Sequence, residues 1–484
     1  MSQIRLSADY SANNEQLSVV PGMVAYEEGE IRNKLLRLDQ HCYVVQNEKA
    51  VGVCLAEDVK NSTAGTSMFL LAHALPLQVA QLGDPEFMRT YGLNMAYMTG
   101  SMANGIASEE LVIASGKVGL LSSFGAAGLV PSRIEEAINK IQQALPNGPY
   151  VFNLIHSPSE DAIERGAVDL FLKYGVTTVE ASAFLDLTPN IVRYRVAGLR
   201  LNAQNQVEIG NRVIAKISRT EVASKFMAPA PATILQKLLA EGKITEEQAQ
   251  LAANIPMADD ITVEADSGGH TDNRPLVSLL PVILVLRDQF QAKYGYAQPI
   301  RVGAAGSIGT PASALAAFMM GAAYVLTGSV NQSCVEAAAS VHSKILLAQA
   351  EMADVMMAPA ADMFEMGVEL QVLKRGTMFP MRAKKLYELY KNYESIEEIP
   401  QQERQKLEKQ VFRNSLDEIW RQTEEHFNAR DPHQIERAKD HPKRKMALIF
   451  RWYLGLSSRW SNTGEKGRET DYQIWCGPAM GAFN

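Results

Sequence analysis

From Leu93 onward the chain alternates short apolar runs with segments whose apolar residues recur every three or four positions. The runs are LNMAYMTG from Leu93, KVGLLSS from Lys117, YVFNLIH from Tyr150, VTTVEASA from Val176, RVIAKIS from Arg212, DITVEADS from Asp260, PIRVGAAG from Pro299 and AYVLTGS from Ala323. Each has the length of a buried strand. Between most of them lie stretches of helical periodicity, such as SRIEEAINKIQQAL and PASALAAFMMGAA. Eight strands alternating with helices predict an α/β protein, a parallel (β/α)8 TIM barrel rather than an open sheet.

The flanks differ. Residues 1–90 alternate short apolar runs, CYVVQ and AVGVCLAED, with turn-forming polar stretches, which predicts a small β-rich N-terminal region ahead of a barrel over 91–352. Beyond Glu351 the pattern turns charged and helical. Apolar residues such as Leu416, Ile419 and Trp420 recur at three and four, so a helical subdomain is expected over 353–455. The last stretch, within 456–484, ends in DYQIWCGPAMGAFN, too apolar for a free terminus, and is expected to pack back on the barrel.

Composition narrows the function classes. A chain of 484 residues with 46% hydrophobic and 21% charged side chains has the balance of an ordinary globular protein. Its net charge of −7 lacks the basic footprint of a nucleic-acid binder. Cys42, Cys54, Cys334 and Cys476 are too few and too scattered for a disulfide framework or a zinc site, so a reducing, cytoplasmic compartment is expected. No run approaches the length of a membrane span, and the N-terminus shows no signal-peptide stretch.

In a (β/α)8 barrel the loops after the strands share the face that carries catalytic sites. Gly100, Ser122, Asn153, Glu180, Lys216, the Gly268-Gly269-His270 loop, Gly306 and Gly328 all fall at those strand ends. The strongest local signal is a repeated one. VGAAGSIGTPASALAAFMMGAA and YVLTGSVNQSCVEAA each run from a strand into Gly-Ser and then toward a helix. Unpaired backbone N–H groups at helix starts carry partial positive charge, and glycines let the backbone approach closely, so two such turns side by side make a phosphate cradle. They are the loops after strands seven and eight, where phosphate sites of this fold are often built.

The ordered motifs YMTGSMANGIASEELVIASGKVGLLSSFGAAGL, VFNLIHSP, EADSGGHT and VGAAGSIGTPASALAAFMMGAAYVLTGSVNQSCVEAA resemble the FMN-dependent nitronate monooxygenase and enoyl reductase superfamily. LKRGTMFPMRAKKLYELY and the closing YLGLSSRWSNTGEKGRETDYQIWCGPAMGAFN resemble, within it, the trans-acting enoyl reductases of bacterial polyketide and polyunsaturated fatty acid synthases. This resemblance implies FMN, NADPH as hydride source, and an enoyl thioester on an acyl carrier protein as substrate. It places Gly100, Ser101 and Met102 beside the isoalloxazine, gives Ser122, Asn153 and Gly269 to the flavin, and Gly306, Ser307, Gly328 and Ser329 to its phosphate. GAAGSIG departs from the family's usual Ala-Gly-Gly-Ile, setting the Ser307 side chain near that phosphate. His270 falls on the active-site histidine, either as a hydrogen-bond or proton donor to substrate or as a partner of flavin or backbone. Lys216 is either a positive charge beside the flavin pyrimidine ring or an ion-paired lysine.

Two basic clusters in this acidic chain, with Lys384 and Lys385 in one and Lys443, Arg444 and Lys445 in the other, are candidates for docking an acidic carrier protein or are merely solvated helix faces. A nitronate-type monooxygenase and a docking scaffold without chemistry remain alternatives. The sequence leaves oligomeric state open, a homodimer included.

Overall fold

The structure is a computed structural model and describes residues 16–59, 65–156 and 161–484. The first fifteen positions, on which the signal-peptide expectation largely rests, and Ser157–Pro158 of the VFNLIHSP motif lie outside the described residues. The chain divides into two compact units after Leu82.

In the first unit the strands Gln16–Val19, Thr66–Ala74, Cys42–Gln46 and Val51–Leu55 form one antiparallel sheet in that spatial order. Val19, Val45, Cys54 and Met68 make its small core. Buried Asp58 accepts from Lys34 Nζ at 2.6 Å and from the Leu55 N–H at 2.7 Å.

In the second unit eight parallel strands close on themselves. They are β1 (Tyr97–Thr99), β2 (Leu121–Phe124), β3 (Val151–Ile155), β4 (Thr178–Ser182), β5 (Arg212–Ile217), β6 (Asp260–Glu264), β7 (Arg301–Ala305) and β8 (Val325–Thr327). Each pairs with its sequence neighbour and β8 pairs back on β1, which is the (β/α)8 barrel expected from the pattern. Side chains alternate along a strand, so one parity of each strand meets the helices and the other meets the lumen. Met98, Leu121, Val151 and Ile214, from four different strands, gather in one buried cluster with Phe87 and Tyr324, whose rings stack at 4.1 Å. This cluster fills the lower lumen.

The lower rim is tied by buried ion pairs. Asp259 accepts from both Arg195 Nη atoms, at 2.6 and 3.3 Å, and Asp260 accepts from Arg301 Nε at 2.6 Å, Arg301 Nη2 at 2.8 Å and Tyr91 OH at 2.6 Å.

After the barrel, a hairpin of Val355–Pro359 and Glu369–Leu373 precedes the helices, and Gly269–His270 adds to its edge in antiparallel register, His270 opposite Leu370. Helices Phe379–Asn392, Leu416–Arg430, Pro432–Lys439 and Pro442–Thr463 follow. Phe364, Leu370, Phe379, Leu386, Ile419 and Phe450 belong to their common core. The closing segment turns back: Leu373 N–H donates to Ile474 O at 2.8 Å, and Gly477 N–H donates to Ser329 Oγ at 3.0 Å, at the barrel's β8 turn. No helix among the described residues is long and apolar enough to cross a membrane.

Candidate active site

Strand parity decides which polar groups enter the upper lumen. Ile214 faces inward, so Lys216, two residues on, faces inward one layer higher. There its Nζ lies 3.6 Å from Glu264 Oε1 and 3.8 Å from Glu180 Oε1. Burial alone would depress the lysine, but the two carboxylates outweigh it and hold its pKa above the ordinary range. Burial pushes Glu264 up, against the pull of Lys216 and with the repulsion of Glu180. Glu180 is fully buried, its Oε2 accepts the Ser101 N–H at 3.1 Å, and its Oε1 has no hydrogen-bond partner. One cation thus stands between two carboxylates.

Above this cluster, a cavity of about 70 Å³ is lined by Gly100, Ser101, Met102, Lys216, Gly306, Ser307, Gly328 and Ser329, together with Glu264 and Trp475. Both Gly-Ser turns therefore open into one space with the β1 and β5 strand ends. Gly306 has φ +85°, and a Cβ there would sit 2.7 Å from the Ala265 carbonyl carbon, so only glycine fits. Ser307 follows at φ +57°. The Ser307 hydroxyl donates to Asp266 O at 3.0 Å while the residue lines the cavity. At Gly328 a Cβ would meet nothing within 4 Å, the mark of an open cradle. After β7 the helix Pro311–Met319 begins at an N-cap made by Thr310, as the sequence implies. After β8 only a single 3₁₀ turn, Ser329–Ser333, follows.

Three of the predicted cofactor-binding residues stand outside this lining. Ser122 is buried and shares a hydrogen bond with Thr99 Oγ1. Asn153 Nδ2 donates to Glu180 O at 3.1 Å and Ser182 Oγ at 3.0 Å, inside the barrel wall. Gly269, at φ +82°, lies under the Trp475 indole.

His270 opens into a second, larger cavity of about 440 Å³ that it shares with Asp362 and, again, Trp475. Its Nε2 lies 3.1 Å from Asp362 Oδ1, and its ring stands edge-on to the indole with centroids 6.3 Å apart. Desolvation would lower the imidazole pKa, yet Asp362, with a smaller contribution from Glu264, raises it above the ordinary value. Asp362 is correspondingly held low by His270 despite its burial. The loop that carries His270 is pinned through Asp266, whose Oδ1 accepts from Gln371 Nε2 at 2.7 Å and Asn273 Nδ2 at 2.9 Å.

Sequence reasoning missed Glu264, Asp362, Gln371 and Trp475. Glu264 was within reach, since it shares inward parity with Thr262 on β6. The other three arrive from the hairpin and the tail, about a hundred residues or more away along the chain, and carry no local signal.

The basic clusters are largely engaged. Lys443 Nζ donates to Tyr393 O at 2.6 Å and pairs with Glu394 at 3.1 Å, Lys445 lies over the Trp420 ring, Arg444 donates to Gln434, and Lys385 pairs with Glu403 at 3.7 Å. Burial keeps the Cys334 thiol above its ordinary pKa, the opposite of an activated nucleophile. Among the described residues no cluster of histidine, cysteine and carboxylate side chains could hold a metal.

Comparison with known proteins sets this geometry in context. Residues 18–76 match the family described as fatty acid synthase subunit PfaD N-terminal domain, and residues 393–472 match the inserted helical domain of [acyl-carrier-protein] S-malonyltransferase. The crystal structure of the enoyl reductase domain of MlnA, from the macrolactin biosynthesis cluster of Bacillus amyloliquefaciens, superimposes with a TM-score of 0.80 at 40% identity, covering 84% of this chain and 91% of that one. A polyunsaturated fatty acid synthase subunit of Thraustochytrium sp. is 51% identical over 94% of this chain, and polyketide biosynthesis protein PksE of Bacillus subtilis is 47% identical over 91%. The chain spans 30% of the former's length and 56% of the latter's.

Proposed function

Because the chain belongs to the enoyl reductase family of polyketide and polyunsaturated fatty acid synthases, we propose that it reduces the α,β double bond of an enoyl thioester borne by an acyl carrier protein, using FMN and NADPH. The observation that carries this reading is the convergence of the Gly306-Ser307 and Gly328-Ser329 turns with Gly100 and Lys216 on one cavity at the strands' C-terminal ends.

The donor set suits a phosphomonoester: left-handed glycine and serine amides, an α-helix start after β7, and the open space at Gly328. Gly306, Ser307, Gly328 and Ser329 would hold the phosphate, and Gly100, Ser101, Met102 and Lys216 the ring end. Ser122 and Asn153 act from beneath, fixing the strands on which those groups stand. When bound, FMN supplies the hydride for the β-carbon of the substrate.

The chain's own residues supply the rest. Negative charge that develops on the thioester oxygen needs a donor, and the α-carbon needs a proton. His270, whose pKa Asp362 raises, is the group for either task. Gln371, Asn273 and Asp266 hold its loop in place. Trp475, between the two cavities, excludes water from their junction. Lys384 and the partly engaged lysines around it remain a candidate carrier-protein surface; charge reversal there should raise the Michaelis constant for carrier-bound substrate and spare small thioesters.

Anaerobic stopped-flow absorption of the FMN-loaded protein tests the reading. Bleaching of the flavin bands by NADPH and their return on adding crotonyl thioester is the expected result. Bleaching by a nitroalkane alone would make the chain a nitronate-type monooxygenase, and a protein that takes up no FMN would make it a docking scaffold.

A further inference from the structure

The larger cavity is elongated. Ser458, Gly455, Arg451, Trp452 and Leu448 line it from the helix Pro442–Thr463, at spacings of three and four, so they form one stripe along that helix. The stripe starts at the barrel, where Asn104 Nδ2 donates to Ser458 Oγ at 2.9 Å, and ends ten residues earlier at buried Leu448, a run of about 15 Å at the helical rise. Leu448 and Phe427, both buried, belong to one apolar cluster at that far end. At the near end Ala103 and Ala127 flank Asn104, and His270 and Trp475 line the same cavity. A mostly apolar space walled by about 15 Å of helix, with His270 in its lining, fits a flexible aliphatic chain better than a ring.

One residue stands out along the stripe. Gly455 lies in the interior of a 22-residue helix, where glycine is the least favourable residue after proline. No neighbour demands it: its φ is not positive, and a Cβ would meet nothing within 4 Å. What the missing side chain leaves is room in the cavity, about a third of the way from the barrel end to the far wall.

We infer that this cavity seats the acyl chain of the thioester, running from His270 along the helix toward Leu448 and Phe427, and that Gly455 sets the chain length it admits. The inference rests on the enoyl-thioester reading above. It makes the helical subdomain a measuring device for an extended acyl group, so the preferred substrate class is a medium or long acyl thioester rather than a crotonyl-sized one.

The test is binding of saturated butyryl, decanoyl and palmitoyl coenzyme A thioesters to the FMN-loaded protein, read by the fluorescence of Trp452 and Trp475, both in the cavity wall. The wild-type chain should bind decanoyl at least about tenfold more tightly than butyryl, the effect of roughly two buried methylenes. Gly455→Leu should collapse that ratio, while Gly455→Ala keeps it. Equal affinity for all three thioesters in the wild-type chain overturns the inference without any variant being made. A folded Gly455→Leu protein that retains the wild-type ratio also overturns it. If the wild-type chain reduces crotonyl thioester yet shows no length preference, the acyl-cavity inference fails and the reductase reading stands. If it prefers long saturated thioesters but reduces no enoyl thioester, the reverse holds.

Discussion

Lys216 carries its charge between Glu180 and Glu264, so the electrostatic field at the barrel mouth is that of a cation overbalanced by two carboxylates. Removing either sign should move a bound flavin in opposite directions. Lys216→Met should lower the midpoint potential of the FMN-loaded protein and Glu264→Gln should raise it, as read by spectroelectrochemical titration; shifts of the same sign would show that neither group faces the cofactor. The pair of His270 and Asp362 makes a pH prediction. Because the folded imidazole pKa is raised, its contribution to stability is complete below the ordinary value of about 6.5 and is lost as pH rises through the higher folded value. Proton donation is lost over the same rise. Asp362→Asn removes the main cause, so the alkaline limb of the kcat profile should move to lower pH; an unmoved limb would mean that another group governs it. The sequence located His270 because the Gly-Gly-His loop ends a strand, but Asp362 sits in an apolar stretch of the post-barrel hairpin and became visible only through the pairing of His270 with Leu370.

The eight barrel strands were legible as elements because each is a short apolar run bounded by glycine or polar turns, and the helices between them keep a regular apolar period. The post-barrel hairpin was not. Its strand VMMAP shows no alternation, being half-buried along one part and buried along the next, so it blends into the helical pattern that follows. The lower rim was likewise invisible, since Arg195 and Asp259 are 64 positions apart. That pair is nearly solvent-free, and removing one partner strands the other in the protein interior. Asp259→Asn should therefore cost about 3–5 kcal/mol in chemical denaturation, whereas Glu425→Gln in the exposed Arg421–Glu425 pair should leave the denaturation midpoint essentially unmoved. Equal effects at the two sites would contradict the assignment of the rim ion pairs as what locks the β5 and β6 strand starts.

In the second unit as a whole, the tail joins barrel and helical subdomain alongside the Gly269–His270 edge pairing and the Asn104–Ser458 hydrogen bond. Asp471 is fully buried and receives Arg382, Arg413, Arg468 and Tyr453, and a few residues on Trp475 enters the walls of both cavities. Sequence alone could show that the tail was too apolar to be free, but not that its Trp475 lines both the cavity of the two Gly-Ser turns and the larger one beside His270. The proposed chemistry depends on the first of those spaces. Its most direct test is an FMN titration, followed by flavin fluorescence, of the purified chain and of Gly328→Glu, which sets an acidic side chain into the open cradle without demanding a left-handed backbone. Saturable FMN binding by the wild-type chain and its loss in a folded Gly328→Glu protein is the predicted outcome; equal binding by both, or by neither, would contradict it.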